Sequence, residues 1–141
     1  MIRAEAADAA QMAELLRELG YANQAEDVTR RLSQMDARRE WVLVATEDER
    51  LVGLAATAVI PWFASDGAHC RVSAMVVAEA ARSRGVGAAL LDAVETQARD
   101  LGCTVMEVTS GEQRLRAHAS YERHGYRPTS RRFLKALRPP S

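Results

Sequence analysis

Apolar residues in the first quarter of the chain recur at helical spacing. Asp8 with Gln11 resembles a capping pair, and Gly20 follows the last apolar position as a stop. A second such pair, Asn23 with Glu26, opens another segment of the same period. The pattern therefore predicts two amphipathic helices joined by a short turn at 20–22. Their apolar positions are Met12, Leu15, Leu16 and Leu19 in the first helix and Val28, Leu32 and Met35 in the second.

The period then changes to compact apolar runs, which are typical of strands. Residues 41–45 and 51–60 flank a polar turn and predict a β-hairpin. A third run, 70–77, is nearly continuous in apolar character, as expected of a strand buried on both faces. A helix from Gly85 to Leu101 and a further strand, Cys103–Val108, complete a βαβ unit, so we expect these two strands to be parallel.

The last part of the chain predicts one more helix and a terminal sheet segment. Ser110 with Gln113 resembles a helix cap, the helix runs to about His124, and Gly125 ends it. Residues 126–137 are then expected to supply one or two strands. The whole order, ααβββαβαβ, predicts a mixed α/β domain.

Composition limits the kind of protein this can be. The chain has 141 residues, of which 48% are hydrophobic and 27% charged, so it has enough apolar surface for one core and excludes disorder. We expect a single domain over 1–141, with 138–141 as a tail. The sequence has no apolar stretch long enough to span a membrane and no signal-peptide pattern at its start, so we expect a cytoplasmic protein with no membrane partner.

Charge and cysteine content narrow the ligand class. Residues 1–65 carry 7 basic and 11 acidic side chains, and residues 66–141 carry 12 and 8. This asymmetry suits an anionic ligand held by the C-terminal half but is too mild for nucleic-acid binding. Cys70 and Cys103 have no metal-ligand or redox spacing, so we expect two buried, reduced thiols and no metal site.

Residues 82–87, Arg-Ser-Arg-Gly-Val-Gly, lie between a predicted strand and a predicted helix. The glycines allow close backbone approach, and the free N–H groups at a helix start form a site for a pyrophosphate. An ordinary turn with solvated arginines is the alternative. The segment is neither a dinucleotide fingerprint nor a P-loop, because the later glycine and the Gly-Lys pair are absent.

With the flanking residues, this segment resembles the signature of the GNAT superfamily of acetyl-CoA-dependent N-acetyltransferases. That signature is [QR]-x-x-G-x-[GA], preceded by Val-Val and followed by Leu-Leu. A second family motif, A-x-x-x-Y-x-x-x-G-[FY], is also present, and Ile2-Arg3 is similar to the family's first strand. The residues that match the two motifs are Val76, Val77, Arg82, Gly85, Gly87, Leu90 and Leu91, then Ala117, Tyr121, Gly125 and Tyr126.

The resemblance implies a GNAT-like acyltransferase fold that binds acetyl-CoA as cosubstrate. Such a fold has a mixed, mostly antiparallel sheet, about four helices and one parallel strand pair splayed around the cofactor. The pantetheine arm would pair with the backbone of Met75, Val76 and Val77. The pyrophosphate would sit on the amides of 82–88. The cofactor-binding set is thus Met75, Val76, Val77, Arg82, Ser83, Arg84, Gly85, Val86, Gly87, Ala88 and Arg114.

Tyr121 is the candidate catalytic residue. In the family a tyrosine at this position commonly protonates the departing coenzyme A thiolate, and a phenol is a suitable donor on a short tether. A tyrosine that only packs against the cofactor arm is the alternative.

The sequence departs from the family pattern at three places. Ser73 and Ala74 occupy positions where many relatives have a glutamate that accepts the amine proton. Arg114 replaces an asparagine, and Ser120 replaces a bulky apolar residue before the tyrosine. The general base is left open among several candidates and a water chain. The candidates are Glu107, Glu26, Asp66 and His69.

The acceptor is expected to be a primary amine of a small molecule or a peptide. Its pocket would be built from the turn at 20–21, the loop at 62–63 and the terminal strands. A homodimer is also expected, because small members of the superfamily are often dimers and the chain has Trp62, Phe63 and a terminal strand edge as candidates for such a surface. The alternative function is a non-catalytic acyl-CoA-binding sensor. The candidate acceptor residues are Tyr21, Trp62, Phe63, Ser73 and Glu107.

Overall fold

A computed structural model describes residues 2–109, 115–129 and 133–138. Five strands, four α-helices and two short 3-10 turns, Ala6–Asp8 and Glu79–Ala81, are present in this part of the chain. The strands are β1 (Ile2–Arg3), β2 (Glu40–Glu47), β3 (Arg50–Pro61), β4 (Ala68–Val77) and β5 (Cys103–Val108). The helices are α1 (Ala9–Glu18), α2 (Ala25–Gln34), α3 (Val86–Asp100) and α4 (Leu115–Arg123).

The strands form one sheet in the order β1-β2-β3-β4-β5. The first four pair antiparallel, and β5 lies parallel to β4, so the predicted βαβ unit and the predicted hairpin are both confirmed. The mixed α/β fold class is confirmed as well. Ser73 is skipped in the register between β3 and β4, where Ala56 pairs with Ala74 and Thr57 with Val72. This one-residue bulge changes which face the following side chains occupy.

Apolar cores lie on both faces of the sheet. On one face α3 packs with Leu90 and Val94 against Cys70 and Val72 of β4. On the other face α1 and α2 pack against a group of strand residues that includes Val76. Positions 72 and 76 are an even number of residues apart and would share a face in a regular strand. The bulge at Ser73 is the physical reason that they do not.

The helix starts differ from the predicted capping pairs. Asp8 lies at the start of α1, but its side-chain Oδ2 accepts from the Glu5 N–H at 2.9 Å. The Gln11 side-chain Oε1 accepts from the Leu51 N–H at 2.9 Å and so connects α1 to β3. The N-cap of α2 is Gln24, whose N–H donates to Asp27 Oδ2 at 2.9 Å.

The predicted cap at Asn23 is also wrong, because its side chain is used within the α1–α2 turn. Its oxygen accepts from Arg31, and its Nδ2 donates to the Tyr21 carbonyl at 3.3 Å.

The chain divides into two compact units, 1–109 and 110–141. In the second unit α4 ends as predicted, with Gly125 at φ +89° and its N–H donating to the Glu122 carbonyl at 3.1 Å. The predicted terminal strands are wrong for 126–129 and 133–138, which carry no strand. Pro128 cannot donate to a ladder, and Phe133 is exposed with no partner strand in the described chain. Residues 130–132 and the predicted cap at Ser110 and Gln113 lie outside the described residues.

Among the helices that the structure describes, none has the length and apolar character required to cross a membrane.

Candidate functional site

Strand β4 has a parallel partner along only half of its length. Pairing with β5 ends where Val72 faces Val108, and the Thr109 N–H then donates to the Val72 carbonyl at 3.4 Å. We call this point of separation the fork. Beyond it, residues 73–77 keep β3 as their only neighbouring strand in the described chain. The sheet therefore opens a backbone edge in its interior.

Two residues present their backbone groups along this open edge. The Ala78 N–H donates to the Val52 carbonyl of β3 at 2.8 Å. Backbone groups of successive strand residues point to opposite sides, so Val76 also faces β3, while Met75 and Val77 face the open side. Of the three residues predicted to pair with a pantetheine arm, the geometry thus makes two available. The Val77 carbonyl accepts from Arg82 Nε at 3.2 Å.

The start of α3 carries unpaired donors. Gly85 occupies the helix N-cap with φ +82°, and it offers no side chain to cap the first turn. The first helical bond runs from the Ala89 N–H to the Gly85 carbonyl at 3.0 Å. The N–H groups of 86–88 consequently have no acceptor within the helix. Three directed donors and the positive end of a 15-residue helix suit an anionic group.

Gly87 joins this helix start to the open edge. A Cβ built at Gly87 would lie 3.6 Å from Met75 Cε and 3.7 Å from Val77 Cγ2, which is ordinary contact. At Gly53 a Cβ would lie only 3.0 Å from Leu90 Cδ1 and 3.1 Å from Val86 Cγ1. Protein packing thus requires glycine at 53 and leaves room at 87. The start of α3 therefore lies against the side chains of Met75 and Val77 on the open edge.

Both arginines of the loop have protein partners. Arg84 Nη2 lies 3.2 Å from Glu47 Oε2 and donates to the Ala80 carbonyl at 3.3 Å. Arg82 is held on the Val77 carbonyl, and Ser83 between them adopts φ +69°. These contacts hold the loop to the end of β4 and to the β2–β3 turn.

Several residues singled out for the acceptor meet next to the fork. Glu107 of β5 forms an ion pair with Arg71 of β4, with Nη2 3.1 Å from Oε1. His69 Nδ1 lies 4.0 Å from the same carboxylate, and its ring stacks on Trp62 with centroids 4.1 Å apart and planes 6° from parallel. The sequence analysis missed Arg71. The parallel register, which makes Arg71 and Glu107 direct partners, is the signal that identifies it.

The remaining acceptor candidates lie elsewhere in the first unit. Tyr21 is exposed in the α1–α2 turn, and Phe63 is exposed in the loop before β4. Ser73 is exposed at the bulge, where its Oγ lies 3.4 Å from the Ala56 carbonyl. Glu26 lies on α2 and Asp66 in the loop at 62–67, both exposed.

Tyr121 belongs to the second unit. It lies on α4, and its ring contacts that of Tyr126 with centroids 6.0 Å apart. The Tyr126 N–H donates to the Tyr121 carbonyl at 3.0 Å, so the two residues of the second family motif are neighbours across the helix end. Arg114 lies outside the described residues.

The two cysteines are poor nucleophiles. Cys70 is buried, and burial, with a smaller contribution from nearby Cys103, raises the pKa of its thiol to about 12. Burial also raises the pKa of Cys103. Because the thiolate is the reactive form, neither residue supplies a ready acyl acceptor near neutral pH.

Comparison with known proteins identifies the family. Residues 9–126 match the sequence model of the acetyltransferase (GNAT) family. None of the curated proteins matches this chain in sequence.

Solved structures show the same fold. A GNAT family acetyltransferase from Staphylococcus aureus subsp. aureus has a TM-score of 0.80 at 22% identity, with 96% of each chain covered. An aminoglycoside N-acetyltransferase in complex with CoA has a TM-score of 0.82 at 16% identity, covering 97% of this chain and 93% of that one. Glucosamine-6-phosphate N-acetyltransferase from Arabidopsis thaliana has a TM-score of 0.84 at 16% identity, with 97% of each chain covered.

Proposed function

The chain belongs to the acetyltransferase (GNAT) family, and from that premise we propose that it transfers the acetyl group of acetyl-CoA to a primary amine by direct attack in a ternary complex. Family membership makes the protein an N-acetyltransferase that uses acetyl-CoA. The observation that carries the donor site is the placement of the start of α3 against the open β4 edge.

In the proposed complex the pantetheine arm adds to β4 as a partial strand. Met75 and Val77 supply the backbone groups on the open side, and Val76 contributes packing. Arg82 Nε, which donates to the Val77 carbonyl, competes with the arm for this acceptor and must leave it or share it. Beyond the fork the arm therefore takes the place of β5 as the neighbour of β4.

The pyrophosphate then occupies the start of α3. The N–H groups of 86–88 donate to its oxygens, and the helix dipole favours its charge. Gly87 supports this placement, because the protein itself leaves room there for a Cβ. A glycine that packing does not require is explained by a ligand that approaches the backbone closely. Arg82, Ser83 and Arg84 hold the loop in position, and Gly85 starts the helix.

The chemistry proposed is a single displacement. The amine lone pair forms a C–N bond to the thioester carbonyl carbon, the C–S bond breaks, and the coenzyme leaves as a thiolate. The Tyr121 hydroxyl donates a proton to that sulfur. The amine proton passes to water, to the Glu107 carboxylate or to the His69 imidazole, and the last two lie together beside the fork. The raised thiol pKa of Cys70 supports direct attack over a route through an acetyl-cysteine.

The acceptor is proposed to be an amine on a small molecule or a peptide. The related folds named above include enzymes for an aminoglycoside and for glucosamine 6-phosphate. Trp62, Phe63, Ser73, Glu107 and Tyr21 are the proposed acceptor contacts. We further propose a cytoplasmic homodimer, with exposed Phe63 supporting a contact surface.

A thiol-release screen tests the proposed function. Purified protein is incubated with acetyl-CoA and a library of primary amines, and free coenzyme A is measured with a thiol reagent. At least one amine should give turnover, and the Gly87→Asp variant should need about a hundredfold more acetyl-CoA to reach the same rate. Stabilisation by coenzyme A without thiol release from any amine would contradict the enzyme and favour a sensor.

A further inference from the structure

Four side chains form a compact cluster next to the fork. Arg71 directly precedes Val72, and Glu107 directly precedes Val108, the last residue pair before the strands separate. Arg71 Nη2 lies 3.1 Å from one carboxylate oxygen of Glu107 and 3.2 Å from the other. His69 lies two residues back on β4 and stacks on Trp62. We call Trp62, His69, Arg71 and Glu107 the fork cluster.

The fork cluster lies on the sheet face opposite α3. Cys70 and Val72 point into the core beneath α3, so His69 and Arg71, which alternate with them, point to the other face. The side chain of Arg71 is 41% exposed and that of Glu107 is 36% exposed. Trp62 is 42% exposed even though it stacks on His69. The cluster is therefore within reach of a ligand.

The ion pair leaves donors unused. Among the described residues, Arg71 contacts Glu107 through Nη2 alone, and its buried Nε has no hydrogen-bond partner. Within the described chain, Nη1 has no partner either. An Arg–carboxylate pair that braces two strands is commonly bidentate, with two guanidinium nitrogens on the carboxylate. Arg71 uses one nitrogen, so its Nη1 donors are left for the carboxylate of a ligand.

We propose that the fork cluster selects an amino acid as the acetyl acceptor, and this inference rests on the function proposed above. The ammonium of the amino acid binds Glu107, its carboxylate binds Arg71, and a flat side chain lies on the exposed face of Trp62. The reacting nitrogen is then held one residue from the fork, where the donor arm enters the sheet.

Charge complementarity favours this acceptor over a polyamine or an aminoglycoside. Arg71 and Glu107 place one positive and one negative charge on adjacent groups. An amino acid carries a carboxylate and an ammonium on adjacent groups. Its carboxylate can therefore pair with Arg71 while its ammonium pairs with Glu107. A polycation could pair one ammonium with Glu107, but its other positive charges would lie close to the Arg71 guanidinium, and this repulsion lowers its affinity.

The test compares acceptors that differ by one group. Rates of thiol release are measured with phenylalanine, with phenylalanine amide and with phenethylamine, which lacks the carboxylate. The wild-type kcat/KM should be at least tenfold higher for phenylalanine than for either analogue. Arg71→Gln should remove that preference by raising the KM for phenylalanine at least tenfold more than it changes the KM for phenethylamine. Arg50→Gln, which breaks an exposed pair with Glu14, is the matched control and should keep the preference.

A charge swap separates recognition from bracing. Arg71→Glu combined with Glu107→Arg keeps an ion pair between the strands and reverses its direction. Phenylalanine turnover should fall at least tenfold in the swapped protein while its melting temperature stays near that of the wild type. Full phenylalanine turnover in the swap would overturn the proposal, and so would equal wild-type rates for phenylalanine and phenethylamine.

Failure of this inference differs from failure of the proposed function. Turnover of spermidine or a peptide with none of phenylalanine would overturn the amino-acid acceptor and leave the acetyltransferase standing. Absence of thiol release from every amine would overturn both.

Discussion

Gly87→Asp places a carboxylate where the proposed pyrophosphate meets the start of α3. In the free protein this change is mild. A Cβ at position 87 makes only ordinary contacts, 3.6 Å to Met75 and 3.7 Å to Val77, and an acidic residue in the first turn of a helix is favourable by about 0.3 to 1 kcal/mol. The free energy of unfolding of the unliganded variant should therefore equal or slightly exceed that of the wild type.

The same carboxylate opposes the bound cofactor. Two unit charges about 5 Å apart at an effective dielectric constant of about 20 repel by roughly 3 kcal/mol, which weakens binding by about two orders of magnitude. Coenzyme A at about one hundred times its wild-type Kd stabilises the wild type by roughly 2.7 kcal/mol. At that concentration the variant should gain only about 0.3 kcal/mol, so the thermal shift should fall from roughly 8 °C to about 1 °C.

Differential scanning fluorimetry with and without coenzyme A measures both effects. Ala89→Asp is the matched control, because it adds the same charge to an exposed position one half-turn further along α3 and should keep most of the shift. Gly87→Ala adds volume without charge and separates crowding from repulsion. An unchanged shift in Gly87→Asp would place the cofactor away from the start of α3.

Five further predictions concern packing, chemistry, titration, the redox state of the cysteines and assembly. Gly53→Ala should lower the free energy of unfolding by about 1 kcal/mol, because contacts of 3.0 and 3.1 Å outweigh the entropy gained; a stability gain in urea melts would contradict this. Tyr121→Phe should lower kcat by about a hundredfold to ten-thousandfold and leave acetyl-CoA affinity nearly unchanged; retention of half the wild-type kcat would remove the general-acid role. Because the pKa of Cys70 is raised to about 12, the folded state holds that proton and stability should fall between about pH 9 and 12, more steeply than in Cys70→Ala; parallel profiles would refute the raised pKa. Intact mass should show Cys70 and Cys103 as thiols, and a loss of two hydrogens would show a disulfide. Light scattering should report a dimer at micromolar concentration, and a monomer would refute the proposed assembly.

Patterns with a fixed period predicted most of the fold. The i, i+3, i+4 positions of Met12 and Leu15 located α1, and β5 begins and ends where the apolar run does. The parallel pair followed from the strand, helix, strand order, since a parallel connection requires a crossover. Gly85 at the start of α3 and Gly125 after α4 both adopt the positive φ that marked them as turn residues.

Features that depend on tertiary contacts could not be predicted from the sequence. The bulge at Ser73 depends on how β3 and β4 pair, and no local pattern distinguishes it from a regular strand position. The predicted caps failed because the side chains of Asn23 and Gln11 bond other segments, Arg31 and Leu51.

In the candidate site, too, the part formed by local sequence could be predicted and the part formed by tertiary contacts could not. The glycine loop at 82–88 was recognisable, because the contacts proposed for it come from the local backbone. The pairing of Arg71 with Glu107 was not, since it joins residues 36 positions apart that meet only through the β4–β5 register.

Amide hydrogen exchange followed by NMR, with and without saturating coenzyme A, tests the central claim most directly. In the proposed complex the pantetheine arm lies on the open side of β4 and the pyrophosphate on the first turn of α3. The amides of Met75 and Val77 and those of residues 86–88 should therefore exchange more slowly when coenzyme A is bound. The Val76 amide, which faces β3, is the internal reference and should change little. Coenzyme A binding that protects amides elsewhere and leaves those of Met75, Val77 and 86–88 unchanged would contradict the account.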